Sequence, residues 1–299
     1  MNKEKHLFAG IEGGGTKFIC ALGTDTGEVL AETRIPTTTP AETLSRCVDF
    51  FEEQRAKFGY ISAIGVASFG PLDPRLDSAK YGHILSTPKP HWSNADIVGI
   101  LRKAFDLPIG FDTDVNGAAL GEWCWGAAQG LRNFIYLTIG TGIGGGGMVN
   151  GELMHGLLHP EMGHISLPRE PKHTSVCPFH KDCFEGLASG PALEHHWEEK
   201  AENFEVGHPA WEMEASYIAR ALRSFICTLS PERIILGGGV MQQAHLFPLI
   251  REKTLEELNG YVQSPQILQR IDKYIAPVAL EGKAGILGAF LLAERAMIL

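Results

Sequence analysis

Two stretches of this chain are built alike, and that likeness constrains the fold more than any other feature. Residues 7–32 run from the apolar LFAGI through EGGGTK into FICALG, the turn TDTGE and then VLAETRI. Residues 133–154 run from NFIYLTIG through TGIGGGG into MVNGELM, with the hairpin signal Asn150-Gly151. Each reads as strand, glycine turn, strand, turn, strand. Two halves that begin alike predict a duplicated domain. Apolar residues at helical spacing predict helices at 43–58, 95–106, 116–128, 210–228, 245–258 and 282–297. Further strands are read in ISAIGVASFGP, LPIGFDTDV and PERIILGGGVM. Strands interleaved with helices predict α/β layers. A chain of 299 residues, 44% of them hydrophobic, has room for one large or two medium domains.

The glycine turns carry the first chemical signal. Gly140-x-Gly142-x-x-Gly145 matches the dinucleotide pattern G-x-G-x-x-G. That pattern needs a helix directly after the glycines, so that a pyrophosphate meets its N-terminus. Here a hairpin follows, as it does after Gly13-Gly14-Gly15-Thr16, and neither cluster is a P-loop. Without Cβ atoms, successive backbone N–H groups of such a turn converge on an anion. One glycine turn is ordinary hairpin punctuation. Three clusters, counting Gly237-Gly238-Gly239, with two in matching positions, point to a polyphosphate clamp.

GFDTDVNGAALGE sets Asp112 and Asp114 at the end of a short strand, just before a helix. A carboxylate there suits the base that takes an alcohol's proton during phosphoryl transfer. The plain alternative is that either aspartate caps the helix beginning near Asn116.

Residues 164–186, HISLPREPKHTSVCPFHKDCFEG, hold a C-x2-H-x2-C run of Cys177, His180 and Cys183, with His164 upstream. The other cysteines, Cys20, Cys47, Cys124 and Cys227, lie in apolar or helical contexts and read as small buried hydrophobes. In a reducing compartment a close cysteine pair binds metal more often than it forms a structural disulfide. No C-x-x-C opens a helix here, which disfavours a redox pair.

A net charge of −9 disfavours nucleic acid and anionic membranes as partners. No apolar run approaches the roughly 18 residues that span a bilayer. The N-terminus lacks a signal-peptide pattern, so a cytoplasmic location is expected.

Taken in order, GIEGGGTKF, FDTDVNGAALGE, TIGTGIGGGG, EMGH, the Cys/His loop ending in FEG, and ILGGGV resemble the ROK family of sugar kinases and regulators. That family lies within the actin-like ATPase (ribonuclease-H-like) fold. The resemblance covers residues 7 to about 296, and ASFGPLD and STPKPHW further resemble its fructokinase branch. It implies two α/β domains with a cleft between them. The first spans 1–115, with the helix near 283–299 packing back on it. The second spans 116–282 and carries the zinc loop 164–186. ATP and Mg2+ would be held by Glu12, Gly13, Gly14, Gly15, Thr16, Lys17, Gly140, Thr141 and Gly142, with Gly237, Gly238 and Gly239 at the adenosine. Asp114 would be the base. Glu161, His164, Glu185 and Thr113 would meet the sugar. His164, Cys177, His180 and Cys183 would hold a structural Zn2+, with His155, His159 and His173 as competing fourth ligands.

The sequence departs from the family pattern at three points. Most members carry Asp where this chain has Glu12. Glucokinase-like members carry Asn where this chain has Thr113, which turns the expectation away from glucose. His180 replaces a cysteine, and Cys2His2 remains a sound tetrahedral set. The activity implied is ATP-dependent phosphorylation of a hexose, D-fructose to D-fructose 6-phosphate, by a homodimer. The alternatives are a mannose or glucose kinase, or a sugar-responsive regulator or sensor. Regulators carry a helix-turn-helix ahead of the first strand, and here six residues precede LFAGI.

Overall fold

The computed structural model describes residues 6–298. In chain order the elements begin β1 (Leu7–Gly13), β2 (Lys17–Thr24), β3 (Val29–Pro36), α1 (Pro40–Phe58) and β4 (Ala63–Ser68). Next come α2 (Ile97–Phe105), β5 (Ile109–Thr113), α3 (Asp114–Trp125), β6 (Phe134–Ile139), β7 (Ile143–Val149) and β8 (Glu152–Leu153). After the long loop follow α4 (Phe184–Ala188), α5 (Gly190–Trp197), α6 (Pro209–Leu229), β9 (Arg233–Gly237) and α7 (Leu246–Leu258). The chain closes with α8 (Pro265–Leu268), α9 (Ile271–Tyr274), β10 (Ile275–Pro277) and α10 (Ala284–Ala296).

These elements form two compact units. One holds the residues up to Gly126, with Met154–His159 and Leu280 onward; the other holds Ala127–Leu153 and Pro160–Ala279. Each has a five-stranded sheet, ordered β3-β2-β1-β4-β5 in the first and β10-β9-β6-β7-β8 in the second. Read from β8, the second order repeats the first. In both, an antiparallel three-strand meander precedes two strands that run parallel to its first strand. The likeness of 7–32 to 133–154 is therefore a repeat of the whole pairing scheme, not of the turns alone.

In the first unit β1 alternates its faces, as a half-buried strand must. Ala9 and Ile11 join a core with Leu44 and Phe51 of α1 and Ile97 and Leu101 of α2. Phe8 faces the other way and packs with Ile286 and Phe290 of α10. Local chemistry sets the helix ends. Thr39 caps α1 by accepting from Glu42 N, with Pro40 at the first turn. Asp96 caps α2 by accepting from Gly99 N.

The structure keeps α3 in the first unit, past the boundary expected between 115 and 116. The reason is contact between backbones. A Cβ on Gly288 of α10 would lie 1.6 Å from Gly117 O of α3, and one on Gly65 of β4 would lie 1.7 Å from Ala289 O. Only glycine lets α10 lie directly on both α3 and β4. The second unit buries α6 along Trp211, Ile218, Leu222 and Phe225, and α6 packs on α7 and α4.

Candidate functional site

In the first unit the junction between β5 and α3 gathers most of the acidic chemistry. Thr113 is the N-cap of α3, its hydroxyl accepting from Asn116 N at 3.1 Å. Neither aspartate of D-T-D therefore serves as the cap. Asp112 is buried, and its Oδ1 accepts from Thr113 N at 2.7 Å and from Asn116 Nδ2 at 2.9 Å. Its Oδ2 meets His155 Nε2 at 2.7 Å. Asp114 is the first residue of α3, where the helix dipole favours a negative charge. Its Oδ1 accepts from Val115 N at 2.9 Å. Thr113, expected at the sugar, is only 2% exposed.

Glu12 ends its strand against α10, where a Cβ on Gly285 would lie 2.4 Å from its carboxyl carbon. Its Oε2 is buried without a hydrogen-bond partner among the described residues. Burial first, then the neighbouring charge of Asp114, push Glu12 up to about 7, with Lys17 pulling the other way. A carboxylate desolvated to this degree is poised to take a proton or a cation. The turn beyond it is closed by Gly14 N donating to Lys17 O at 3.0 Å. Thr37 braces it, donating from Oγ1 to Gly14 O at 2.7 Å and from N to Thr16 O at 3.0 Å. Gly15 and Thr16 stand exposed at its tip.

The second unit sets its own two glycine clusters side by side. Gly140 N donates to Gly142 O at 2.9 Å, closing the β6–β7 turn. Gly239 lies against it, its N 3.5 Å from where a Gly140 Cβ would be. Gly238 has φ +94°, and a Cβ there would fall 2.4 Å from Ile139 O, so this position requires glycine. Gly140, Thr141, Gly190, Gly239, Gln242 and Lys200 are among the residues lining a cavity of about 480 Å³. Its lining also carries Glu194, Glu202 and Gln243, so the cavity is polar and mixed in charge, with backbone turns and amide side chains to meet a polar ligand.

The same unit brings His164, Cys177, His180 and Cys183 together. One ligand atom from each lies within 4.8 Å of the others. Cys177 Sγ is 4.0 Å from His164 Nδ1 and 3.6 Å from His180 Nδ1. Bond lengths of 2.0–2.3 Å imply tetrahedral edges of about 3.6 Å, so the donor set fits a zinc-sized ion. Without a cation, burial pushes the Cys183 thiol up to about 11. The competing histidines are engaged elsewhere. His155 meets Asp112, and His159 Nε2 accepts from Leu72 N at 3.2 Å. His173 stacks on His196 and meets Tyr217 Oη at 2.9 Å. The cysteines are free.

The loop is tied to two acidic residues. His164 Nε2 lies 3.9 Å from Glu185 Oε1, while its other ring nitrogen, Nδ1, is the one near Cys177. Glu185 Oε2 accepts from Ile143 N at 2.8 Å, next to the Gly140–Gly142 turn. Glu161 opens the short turn whose last residue is His164, and its carbonyl accepts from His164 N at 3.0 Å. The residue that sequence reasoning missed is His155 in its contact with Asp112. Nothing local signals that pairing, because 43 positions separate the two.

The ROK family model matches residues 8–296. A fructokinase of Zymomonas mobilis is 42% identical, covering 99% of each chain. A fructokinase of Pediococcus pentosaceus is also 42% identical, covering 97% of this chain and 99% of its own. Among solved structures, the ROK hexokinase from Thermus thermophilus superposes with a TM-score of 0.80 at 27% identity, covering 98% of this chain and 99% of that one.

Proposed function

The chain belongs to the ROK family, and on that premise we propose that it is a fructokinase, transferring the γ-phosphoryl group of ATP to D-fructose to give D-fructose 6-phosphate. Two full-length fructokinase relatives at 42% identity support the substrate. The observation that carries the chemistry is the place of Asp114. It opens α3 at a strand end, and Thr113 has already taken the capping role.

Asp114 accepts the proton of the sugar's 6-hydroxyl as that oxygen bonds to the γ-phosphorus. The bond from the γ-phosphorus to the bridging oxygen breaks, and ADP leaves with the electron pair. Backbone N–H groups of the Gly13–Thr16 and Gly140–Gly142 turns hold phosphate oxygens, and the Gly237–Gly239 cluster borders the adenosine. Glu12 and Lys17 would lie beside the phosphates, where a bound Mg2+ would supply charge neutralisation. Glu161, His164 and Glu185 orient the sugar, while Thr113, buried and capping α3, supports the turn from behind rather than touching the substrate.

His164, Cys177, His180 and Cys183 would hold Zn2+, and with four protein ligands the ion would be structural rather than catalytic. What supports this is the donor set, two thiols and two imidazoles whose ligand atoms gather within 4.8 Å of one another. The enzyme acts as a cytoplasmic homodimer on this reading, and sedimentation of the purified chain checks the oligomer. Among the described residues no helix is long and apolar enough to cross a membrane.

A coupled ADP-release assay across a hexose panel tests the proposal. Fructose turnover at least tenfold above mannose and glucose is expected. Equal or faster turnover of another hexose would reassign the substrate, and no turnover with any sugar would remove the kinase reading.

A further inference from the structure

Asp112 is a buried carboxyl group with three hydrogen-bond partners, two of which bracket Asp114 in sequence. Thr113 N lies one residue before it, and Asn116 Nδ2 lies two residues after. Asn116 N in turn donates to Thr113 Oγ1. The turn is thus stitched across the residue that carries the chemistry. The third donor comes from outside the turn. His155 belongs to Met154–His159, a short segment of the first unit. It is held at a second point by His159, whose Nε2 accepts from Leu72 N.

Charge explains why a histidine suits this place. Asp112 and Asp114 lie two residues apart, and Asp114 in turn adds to the burial that has already raised Glu12. The groups facing His155 are Asp112 and Asn116 at the junction, and Arg295 of α10. The hydrogen bond to Asp112 holds His155 above its usual range, outweighing burial and the Arg295 charge. The side chain keeps about a third of its exposure, so it can still exchange its proton with water.

We propose that His155 is a positioning residue for phosphoryl transfer, holding the β5–α3 turn through Asp112 so that Asp114 is aimed at the sugar hydroxyl. The proposal rests on Asp114 being the base. A misplacement of about 1 Å at a reacting group costs on the order of 10²-fold, so a loosened turn should appear in kcat before KM.

The experiment compares wild type with His155→Ala, His155→Gln and Asp114→Asn by ADP release and thermal melting. His155→Ala should lower kcat by about 10–100-fold, with KM for ATP within about twofold. His155→Gln keeps an N–H donor for Asp112 and should recover most of that loss. Wild-type kcat should fall on the alkaline side as His155 loses its proton, and this fall should be absent from His155→Gln. If His155→Ala does not fold, the His155→Gln profile decides alone. Wild-type kcat in His155→Ala, or an unchanged alkaline limb in His155→Gln, would overturn the proposal. An active Asp114→Asn would instead remove the base assignment, so the two failures are distinguishable.

Discussion

Stripping the metal from loop 164–186 should weaken sugar binding by about tenfold and leave ATP binding nearly unchanged. The size follows from what the loop keeps. A wholly released loop of about 19 residues would regain about 2.6 kcal/mol of closure entropy. This loop is not wholly released, because its base carries a backbone ladder of its own. Leu167 N donates to Asp182 O at 2.8 Å, Phe184 N to Ile165 O at 2.9 Å and Val176 N to Gly186 O at 2.9 Å. Those bonds need no ion. What the ion alone fixes is the His164 ring, through the nitrogen facing Cys177. Freeing that side chain costs about 0.5–1.5 kcal/mol when it must be reordered. The partly exposed His164–Glu185 pair adds about 0–1 kcal/mol. Together these come to about 0.5–2.5 kcal/mol, centred near about 1.5, which is a factor of about ten in KM for the sugar. The Glu185–Ile143 bond bypasses His164, so the Gly140–Gly142 turn should keep its shape and KM for ATP its value. The assay is steady-state ADP release by chelator-treated enzyme and by Cys177→Ser, with zinc measured before and after by elemental analysis. A KM for ATP that rises in step with that for fructose would refute the reasoning. So would no change in either after zinc is shown to be lost. Protein purified without added metal that contains no zinc would remove the metal itself.

Three further outcomes are expected. Asp114→Asn should fold and bind sugar but lose about 10²–10⁴-fold in kcat, and a tenth of wild-type turnover would be too much for a general base. Glu12 titrates at about 7 in the folded chain against an ordinary 4.5, so the folded state holds the extra proton and stability falls as pH rises between those values. Glu12→Gln should therefore melt above wild type at pH 8 without nucleotide, by up to about 3 kcal/mol, and match it near pH 4; a constant offset across pH would contradict the raised value. Gly238→Ala forces a Cβ toward Ile139 O at φ +94°, which should cost about 1–3 kcal/mol and raise KM for ATP above that for fructose. Unchanged melting and unchanged KM would show that the turn tolerates a side chain.

The duplication was legible because each glycine turn sits between apolar runs short enough to be strands and nothing else. Pairing then followed the repeat, down to the parallel strands β4 and β9 beside β1 and β6. The domain boundary was not legible. α3 is buried on every side from Val115 to Glu122, so it carries no amphipathic stripe to show which partner it faces. Its partner α10 lies far along the chain, and the small residues that let them touch, Gly117 and Gly288, mean nothing until they are opposed. The metal loop was legible in part. Spacing identified Cys177, His180 and Cys183, but four histidines competed for the last place. The three others were excluded only by partners that sequence distance hides. The same loop also read as irregular, because the ladder at its base joins strands too short to show a period.

The two aspartates of D-T-D show why composition alone could not divide the labour. They are chemically identical and two residues apart. Asp112 faces inward and receives Thr113 N, Asn116 Nδ2 and His155 Nε2, so taking a proton from substrate would break a bond that holds the turn. Asp114 stands at the first helical position, beyond the cap, where the helix dipole favours charge, and on the proposed reading it is the base. An anchor must be saturated with donors, whereas a base must keep a lone pair for the substrate. The fold meets both needs by turning from strand to helix between them. A strand continued through Asp114 would have put both side chains on one face of the sheet. Thr113, by capping α3 at that turn, separates the two roles.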